Sequence, residues 1–279
     1  SQINIAPNFT ITDPDDTGIE GFFIQISSGY DVASDLLTLT GNHPTINSSW
    51  STVEGKLTLT PNGGTQILYT DLELAVRDVF FESSDPNISG ERFFSFTIGD
   101  ANYLPSTEHF YEFKDNIGIS WSVAKTLAEN STYYGLRGYL VTILSAEENQ
   151  ISAEQITGTG WIGGSDQETE GIWKWVTGPE TGLVFWNGTV SGSAPPGVYS
   201  NWNANEPNQS GNEDYAHITD PSVTSNFGSW NDLPNAGTTG PYLPKGYIVE
   251  YGGSPGDPEL NISASTSIYI PEMISTTAG

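Results

Sequence analysis

The sequence predicts two domains: an all-β sandwich over residues 1–107, followed by an α+β domain with a long irregular loop over residues 108–253. Short strand-like runs separated by turns fill the first part, and helical periodicity begins only after about residue 111. Some fifty residues, Thr177–Phe227, then show very little periodicity. A chain of 279 residues has room for one large domain or two ordinary ones, and the change in pattern favours two.

The first domain is predicted from short runs rich in β-branched and aromatic residues, with no helical period longer than one turn. Turn signals such as Pro61–Gly64 and Ser89–Gly90 separate the runs, and this spacing is typical of a β-sandwich. The predicted strands are Phe22–Ile26, Leu36–Leu39, Lys56–Leu59, Leu72–Val76 and Phe93–Ile98.

The second domain mixes helices and strands. Ser120 is the predicted N-cap of a helix that ends near Asn130. The capping box Ser145–Glu148 begins a second helix, because the Ser hydroxyl and the Glu carboxylate satisfy backbone N–H groups reciprocally. Strands are predicted at Gly160–Gly163 and Ile172–Val176.

The charge is strongly acidic, with 34 Asp and Glu against 8 Lys and Arg and a net charge of -26. Nucleic acids and anionic membrane surfaces both require basic patches, so the sequence predicts neither as a partner. The acidic excess favours divalent cations, high salt or solubility, and a solvated acidic surface explains most of the carboxylates. No run of about 18 apolar residues occurs, which predicts no membrane insertion.

The chain has no cysteine, which excludes disulfides and thiolate metal sites. Its three histidines are scattered and do not favour a multi-histidine zinc site. The chain opens directly on the strand-like Ile3–Ile5 run without a visible signal peptide, and residues 254–279 have the composition of a linker or tail toward a further domain. We therefore expect the sequence to be part of a longer multidomain chain.

The Thr177–Phe227 loop is too long to stay structureless in a compact domain unless something pins it. Without disulfides, bound metal is the obvious pin, and no basic residue lies between Lys174 and Lys245 to neutralise the local carboxylates. Ca²⁺ takes six to eight oxygen ligands. The loop and its exit supply five side chains with oxygen donors: Glu206, Asn208, Glu213, Asn231 and Asp232.

A series of motifs runs through the second part of the chain: Trp161–Gly164, Glu206-Pro207-Asn208, Glu213-Asp214, Trp230-Asn231-Asp232 and Gly246–Tyr251. With these motifs, residues from about 110 to 252 resemble a C-type lectin domain, because the family's landmarks occur in this order. The resemblance implies an α+β C-type lectin-like fold with a long Ca²⁺-dependent loop. One departure is that the family's disulfides are missing, so the loop depends more on metal.

The same resemblance implies how a sugar would bind. The five donor residues become Ca²⁺ ligands, the Glu206–Pro207 bond is expected to be cis, and two adjacent sugar hydroxyls complete the coordination. Four of these residues also act as paired hydrogen-bond acceptors and donors to the sugar: Glu206, Asn208, Glu213 and Asn231. The order Glu-Pro-Asn accompanies mannose, fucose, glucose and N-acetylglucosamine in the family, whereas the reversed Gln-Pro-Asp accompanies galactose.

Further Ca²⁺ ions are a second expectation. Asp166 and Glu170, with Glu213 and Asp214, match the family's auxiliary Ca²⁺ pattern, and an acidic surface turn is the alternative. At the start of the chain, Asp13, Asp15 and Asp16 fit either a metal at the edge of the first domain or an acidic turn. Near the loop, Tyr199 and Trp202 fit either stacking on a sugar or packing in the loop core.

The first part of the chain contains the runs Asp13–Asp16, Asp35–Leu39, Gly55–Thr60, Leu74–Val79 and Gly90–Arg92. With these runs, residues 1–107 resemble the cadherin-like, immunoglobulin-like repeats of large bacterial surface proteins, which act as spacers in adhesins. The resemblance implies a secreted protein of the bacterial cell surface that binds cell-surface glycans.

The same residues bear on two other classes of function. A glycosidase needs two carboxylates flanking the scissile bond, one of them with a raised pKa. Carboxylates committed to Ca²⁺ are poor general acids and no second cluster is evident, so we predict no enzyme. An ice-binding or protein-binding module on the same fold is the alternative, because a fold does not determine function. Retention of all five donor positions favours sugar.

Overall fold

The computed structural model describes residues 2–272, so residues 273–279 of the predicted tail lie outside the described part of the chain. The chain divides into two compact units. Among the described residues, the first comprises residues 2–106 together with residues 261–272, and the second comprises residues 107–260. Among residues 2–272, no helix combines the length and the apolar character needed to cross a membrane.

In the first unit, residues 2–106 form ten strands and one α-helix. Four of the five predicted runs lie in strands. The elements are β1 (Ile3–Asn4), β2 (Gly18–Ile19), β3 (Phe22–Ser28), β4 (Asp35–Leu39), β5 (Ile46–Ser51), β6 (Lys56–Pro61), β7 (Ile67–Leu68), α1 (Tyr69–Arg77), β8 (Val79–Ser83), β9 (Gly90–Thr97) and β10 (Asn102–Leu104). Pairing of β1 and β4 with β8 makes one sheet, and pairing of β9, β3, β6 and β5 makes a second. A core of buried aliphatic and aromatic side chains includes Ile24, Leu59, Phe81 and Phe94.

Helix α1 replaces the predicted strand Leu72–Val76, so the prediction of no helix in this domain is wrong. Alternation would place Leu72, Leu74 and Val76 on one face, but Leu74 is 58% exposed. Leu72, Ala75 and Val76 are buried instead, which is the spacing of one helical face. Glu73 also lies one turn before Arg77, and the two form an ion pair at 3.1 Å.

The second unit contains two α-helices, nine strands and one 3₁₀ turn within its described residues. Their bounds are β11 (His109–Asp115), α2 (Trp121–Glu129), β12 (Thr132–Tyr133), β13 (Leu136–Leu140), α3 (Ala146–Ala153), β14 (Gly160–Ser165), β15 (Ile172–Trp175), β16 (Val184–Asn187), β17 (Tyr215–Ile218), β18 (Trp230–Leu233), the 3₁₀ turn Gly240–Tyr242 and β19 (Gly246–Tyr251).

Both predicted helix caps are confirmed. Ser120 Oγ accepts the N–H of Val123 at 3.4 Å, and Ser145 Oγ accepts the N–H of Glu148 at 3.1 Å. The second half of the predicted capping box differs, because the Glu148 carboxylate accepts the N–H of Leu144 at 2.8 Å, one residue before the cap. Because the Glu148 side chain is buried, this hydrogen bond satisfies a buried carboxylate oxygen as well as a backbone N–H before the helix start.

Pairing within the second unit places two strands inside the predicted loop. β19 pairs with β11, β13 and β14, while β14 also pairs with β15 and β17, and β17 pairs with β18. The segments Val184–Asn187 and Tyr215–Ile218 are therefore strands rather than loop. Every side chain of Tyr215–Ile218 is buried, so the alternating pattern that identifies a half-buried strand is missing.

A last strand, β20 (Ser263–Ile270), follows the second unit and pairs antiparallel with β9 of the first. The sequence predicts only a linker or tail here. Eight Cα pairs join β20 to β9, whereas only Ile268 and Ile270 of its side chains pack against the core. Backbone pairing therefore forms this strand, and its Ser- and Thr-rich sequence carries little of the apolar signal that predicts one.

A largely buried ion pair joins the neighbouring strands β11 and β19 of the second unit. His109 Nδ1 lies 2.7 Å from Glu250 Oε1, and Glu250 Oε2 accepts the N–H of Thr142 at 3.0 Å. Burial lowers the pKa of His109, but the hydrogen bond and charge of Glu250 and the charges of Glu148 and Glu180 outweigh burial, so the pKa is raised. Burial and the charge of Glu250 raise the pKa of Glu148 to about 7.

We expect His109 to stabilise the folded chain only while it is protonated. Its pKa is higher folded than unfolded, so its contribution is complete below the unfolded value of 6.5 and is lost as the pH rises through the folded pKa. Urea unfolding of wild type and His109→Gln from pH 5.5 to pH 9, a range from about 1 unit below to about 2.5 units above the unfolded pKa of 6.5, measures the difference. An advantage of wild type that stays constant with pH contradicts this ion pair.

Candidate functional site

Strand β18 carries Asn231 and Asp232, opposite His217 and Ala216 of β17. Both oxygens of the Asp232 carboxylate accept backbone N–H groups from the predicted sugar-binding turn. Asn208 N donates to Oδ1 at 3.1 Å and Gln209 N donates to Oδ2 at 2.9 Å. Asp232 therefore holds the Glu206-Pro207-Asn208 turn against β18.

The base of this turn is fixed by Asn203. Its N–H donates to the carbonyl of Trp230 at 2.7 Å, and its own carbonyl accepts the N–H of Glu206 at 3.0 Å. The N–H of Trp230 donates in turn to the carbonyl of Asn201 at 2.7 Å. The Glu206–Pro207 peptide bond is cis, as predicted. The loop is thus held by backbone hydrogen bonds to β18 in addition to any metal.

The five predicted donor residues have different surroundings. Glu213, Asn231 and Asp232 are buried, Glu206 is half-buried and Asn208 is exposed. Glu213 Oε2 accepts the N–H of Ser210 at 2.9 Å, and Asn231 Oδ1 accepts the N–H of Asp232 at 2.8 Å. Glu206 Oε2 is buried and has no hydrogen-bond partner.

The carboxylates of the site repel one another. Burial, then the charges of Asp232 and Glu213, raise the pKa of Glu206 to about 8. Burial and the charge of Asp232 raise the pKa of Glu213 to about 7. In the described part of the chain, no lysine, arginine or histidine forms an ion pair with Glu206, Glu213 or Asp232. The site therefore has negative charge without a cationic partner.

The residues present fit a divalent cation. A buried carboxylate oxygen without a partner is costly, and a cation would satisfy it. The donors are carboxylate and amide oxygens, which are the ligands that Ca²⁺ prefers. Within residues 2–272, no group of three or more His, Asp or Glu side chains forms a metal-holding cluster. A cation here would therefore need the amide oxygens of Asn208 and Asn231 and backbone oxygens as well as the carboxylates.

The predicted auxiliary site lies at the end of β14. Asp166 is buried, its Oδ2 accepts the N–H of Gly171 at 2.9 Å and its Oδ1 has no partner. Burial raises the pKa of Asp166 to about 7, and the charges of Glu170, Asp214 and Asp232 contribute to this increase. The hydrogen bond from Gly171 lowers the pKa of Asp166 but does not offset them. The N–H of Asp166 donates to the carbonyl of Asp214 at 3.2 Å, so the structure brings these two residues together.

Gln209 is a site residue that sequence reasoning missed. Its backbone is in the left-handed region with φ of 54°, its Nε2 donates to Glu170, and its Oε1 accepts the N–H of Glu213. With its own N–H bonded to Asp232, it joins the main and auxiliary sites. Its only sequence signal is its place after Glu206-Pro207-Asn208, because the contacts depend on chain folding.

A cluster of aromatic side chains packs around Trp230 of β18 and Trp202, which precedes the turn. Trp230 is fully buried and donates from Nε1 to Asn149 Oδ1 at 2.7 Å. Trp202 lies 4.8 Å from Trp173 between ring centroids, in an edge-to-face arrangement, and its Nε1 is buried. Trp202 therefore packs in the loop core, in line with the packing alternative. Tyr199 lies 5.9 Å from Trp230 in the same cluster.

The acidic residues at the start of the chain form a turn. Asp13 Oδ1 accepts the N–H of Asp15 at 2.8 Å and the N–H of Asp16 at 3.3 Å. All three residues are exposed. These local bonds are those of an Asx-type turn, which favours the acidic-turn alternative over a metal.

Comparison with known families identifies the second unit. Residues 120–237 match the sequence model of the lectin C-type domain. The chain therefore contains a C-type lectin domain, and its mixed helix and sheet content agrees with a C-type lectin-like fold. Such domains are generally non-enzymatic modules that bind carbohydrate and Ca²⁺.

Individual relatives cover different parts of the chain. It is 35% identical over 262 residues to halomucin of Haloquadratum walsbyi, which is 90% of this chain but 3% of that protein. It is 31% identical over 123 residues, 43% of its length, to C-type lectin domain family 4 member M of Gorilla gorilla gorilla, and covers 26% of it. A perlucin-like protein of Mytilus galloprovincialis is 33% identical over 102 residues, 34% of this chain and 53% of the relative. The chain thus spans only a small part of the first two.

Two solved structures are also similar to the chain. One is the cow C-type carbohydrate-recognition domain of CD23 in the presence of GlcNAc2Man3 oligosaccharide, with 22% identity and a TM-score of 0.39 over 55% of this chain and 95% of that one. The other is a calcium-independent type II antifreeze protein, with 21% identity and a TM-score of 0.39 over 55% of this chain and 94% of that one.

Proposed function

We propose that the second unit binds carbohydrate through Ca²⁺ at the Glu206-Pro207-Asn208 turn and strand β18. The observation that carries this proposal is the buried oxygen of Glu206 without a hydrogen-bond partner, among carboxylates that form no ion pair with a cationic side chain within residues 2–272. Glu206, Asn208, Glu213, Asn231 and Asp232 would hold the ion, and Asp166, Glu170 and Asp214 would hold a second. When bound, Ca²⁺ supplies positive charge and open coordination positions for two adjacent sugar hydroxyls.

The protein's own residues select the sugar. Carboxylates accept hydrogen bonds from the hydroxyls, and the side-chain amides of Asn208 and Asn231 donate to them. Asp232 accepts the backbone N–H groups of Asn208 and Gln209, which fixes the turn that carries the sequence order Glu206-Pro207-Asn208. This order supports mannose-, fucose-, glucose- or N-acetylglucosamine-type ligands over galactose.

We infer that the chain acts within a secreted cell-surface adhesin that binds glycans on other cells. The first unit would be a cadherin-like spacer, and the extended match to halomucin supports a place in a longer multidomain protein. One monosaccharide site binds weakly because it buries little surface. Many copies on one surface raise the effective concentration, so adhesion would come from multivalency.

The proposal is tested by calorimetric titration of chelator-treated protein with Ca²⁺, followed by mannose, fucose and galactose with and without metal. We expect Ca²⁺-dependent binding of mannose or fucose and not of galactose. Tight Ca²⁺ binding with no sugar heat contradicts the sugar and moves the function to an ice-binding or protein-binding module on the same fold. Sugar binding that persists without metal contradicts the Ca²⁺ mechanism.

Asn208→Asp tests the assigned hydrogen bonds. It replaces an amide donor with an acceptor, so mannose binding is expected to fall at least about tenfold while Ca²⁺ binding survives. The matched control is Asn205→Asp, an exposed residue of the same turn that is not among the predicted donors. Unchanged sugar affinity in Asn208→Asp contradicts the geometry.

A further inference from the structure

The loop between β17 and β18 presents an exposed aromatic residue, and hydrogen bonds through Asn203 tie this loop to the base of the proposed sugar-binding turn. Phe227 is 53% exposed, and Val223, four residues before it, is also exposed. One exposed apolar side chain needs no explanation by itself. The way in which this loop is held distinguishes Phe227 from the other exposed apolar residues.

Side-chain hydrogen bonds fix two residues before Phe227, and a close approach to the backbone restricts the residue after it. Thr224 Oγ1 donates to Asn203 Oδ1 at 3.0 Å, and Asn226 Nδ2 donates to Asn201 Oδ1 at 3.4 Å. Gly228 follows with φ of 71°, and a Cβ there would lie 2.5 Å from Asn149 Nδ2. The backbone at Phe227 therefore lies between two anchored positions, and its ring stays at the surface without loop rearrangement.

Asn203 connects this loop directly to the proposed site. Its side chain accepts from Thr224, its N–H donates to Trp230, and its carbonyl accepts from Glu206. Phe227 is also four residues from Asn231 along the chain, so their Cα atoms are at most about 14 Å apart. An oligosaccharide held at Glu206 and Asn231 would extend its second or third residue over a range of this size.

We propose that Phe227 forms a second glycan subsite, which stacks on the sugar that follows the Ca²⁺-bound residue in a neutral oligosaccharide. This inference rests on the proposed function. A pyranose ring presents a face of C–H groups, and an exposed aromatic ring buries that face with little loss of side-chain freedom. The net charge of -26 disfavours anionic glycans, so the ligand class is uncharged oligosaccharides.

The subsite predicts a specific gain with ligand length. Burying the exposed half of a phenylalanine against a sugar face raises affinity about fivefold. We expect wild-type protein with Ca²⁺ to bind one of the mannobioses or mannotriose at least about fivefold more tightly than methyl α-mannoside. Phe227→Ala should bind methyl α-mannoside like wild type and lose the gain. Tyr134→Ala removes an aromatic residue of the second unit that is also 53% exposed, and it should keep the gain.

Calorimetry with these three proteins decides the proposal. A gain that survives in Phe227→Ala overturns it, as does a wild type that binds all the ligands equally. Equal weakening of monosaccharide and oligosaccharide by Phe227→Ala also overturns it, because Phe227 would then belong to the primary site. Wild type that binds neither kind of ligand overturns the proposed function as well, and the missing monosaccharide binding identifies that case.

Discussion

Glu206→Gln is expected to lower Ca²⁺ affinity at least about 100-fold, since loss of even an outer-shell partner of a metal ligand costs about 10- to 100-fold. The metal-free protein should nevertheless be as stable as wild type or more stable. The Glu206 carboxylate has a buried oxygen with no partner, and Asp232 and Glu213 repel its charge. Glutamine keeps the shape of the side chain and removes that charge.

Two measurements at pH 8 (about where the Glu206 carboxyl is half-ionised) check the expected loss of Ca²⁺ affinity and the expected stability of the metal-free protein. Calorimetry gives the Ca²⁺ affinity, and urea unfolding in chelator gives the stability of the metal-free protein. The matched control is Glu129→Gln, because Glu129 is exposed on α2 and pairs with Lys125 away from the donor residues. Ca²⁺ affinity near that of wild type, or clear destabilisation without metal, contradicts the role given to Glu206.

The sequence predicts local features of this protein well because their causes are local. Ser120 and Ser145 cap helices through bonds to residues three positions on, and such bonds leave a fixed spacing in the sequence. The residues 72–76 were misassigned because period 2 and period 3.6 both fit so short an apolar run. β20 was missed because backbone pairing with the distant β9 forms it, while its own Ser- and Thr-rich sequence carries little apolar signal.

In the candidate site, too, some features are visible in the sequence and others depend on the fold. The Glu206-Pro207-Asn208 turn and the Asn231-Asp232 pair are visible as sequence patterns, and whether they hold metal and sugar stays a prediction. Their mutual placement depends on contacts such as those of Asp232 with residues 208 and 209, more than twenty positions earlier. Asn203 and Gln209 were missed for this reason, because their roles come from partners that folding brings together.

Trp230→Ala is expected to cost about 3–5 kcal/mol of folding free energy, the range for loss of a large buried aromatic side chain. The ring is fully buried, and its removal also leaves Asn149 Oδ1 without its donor. The loss reaches the site because the Trp230 backbone bonds to Asn201 and Asn203 at the base of the turn. Four aromatic neighbours would face the cavity: Trp175, Phe185, Tyr199 and Trp202.

Urea unfolding followed by circular dichroism, with and without Ca²⁺, separates packing from site assembly. Trp186→Ala is the matched control, since Trp186 is half-buried and should cost much less. Ca²⁺ bound only to the folded state adds stability according to its affinity. If Trp230 holds the turn in its binding geometry, the Ca²⁺ increment is smaller in Trp230→Ala than in wild type. An equal increment in both proteins would mean that Asp232 and Asn203 hold the turn without the indole.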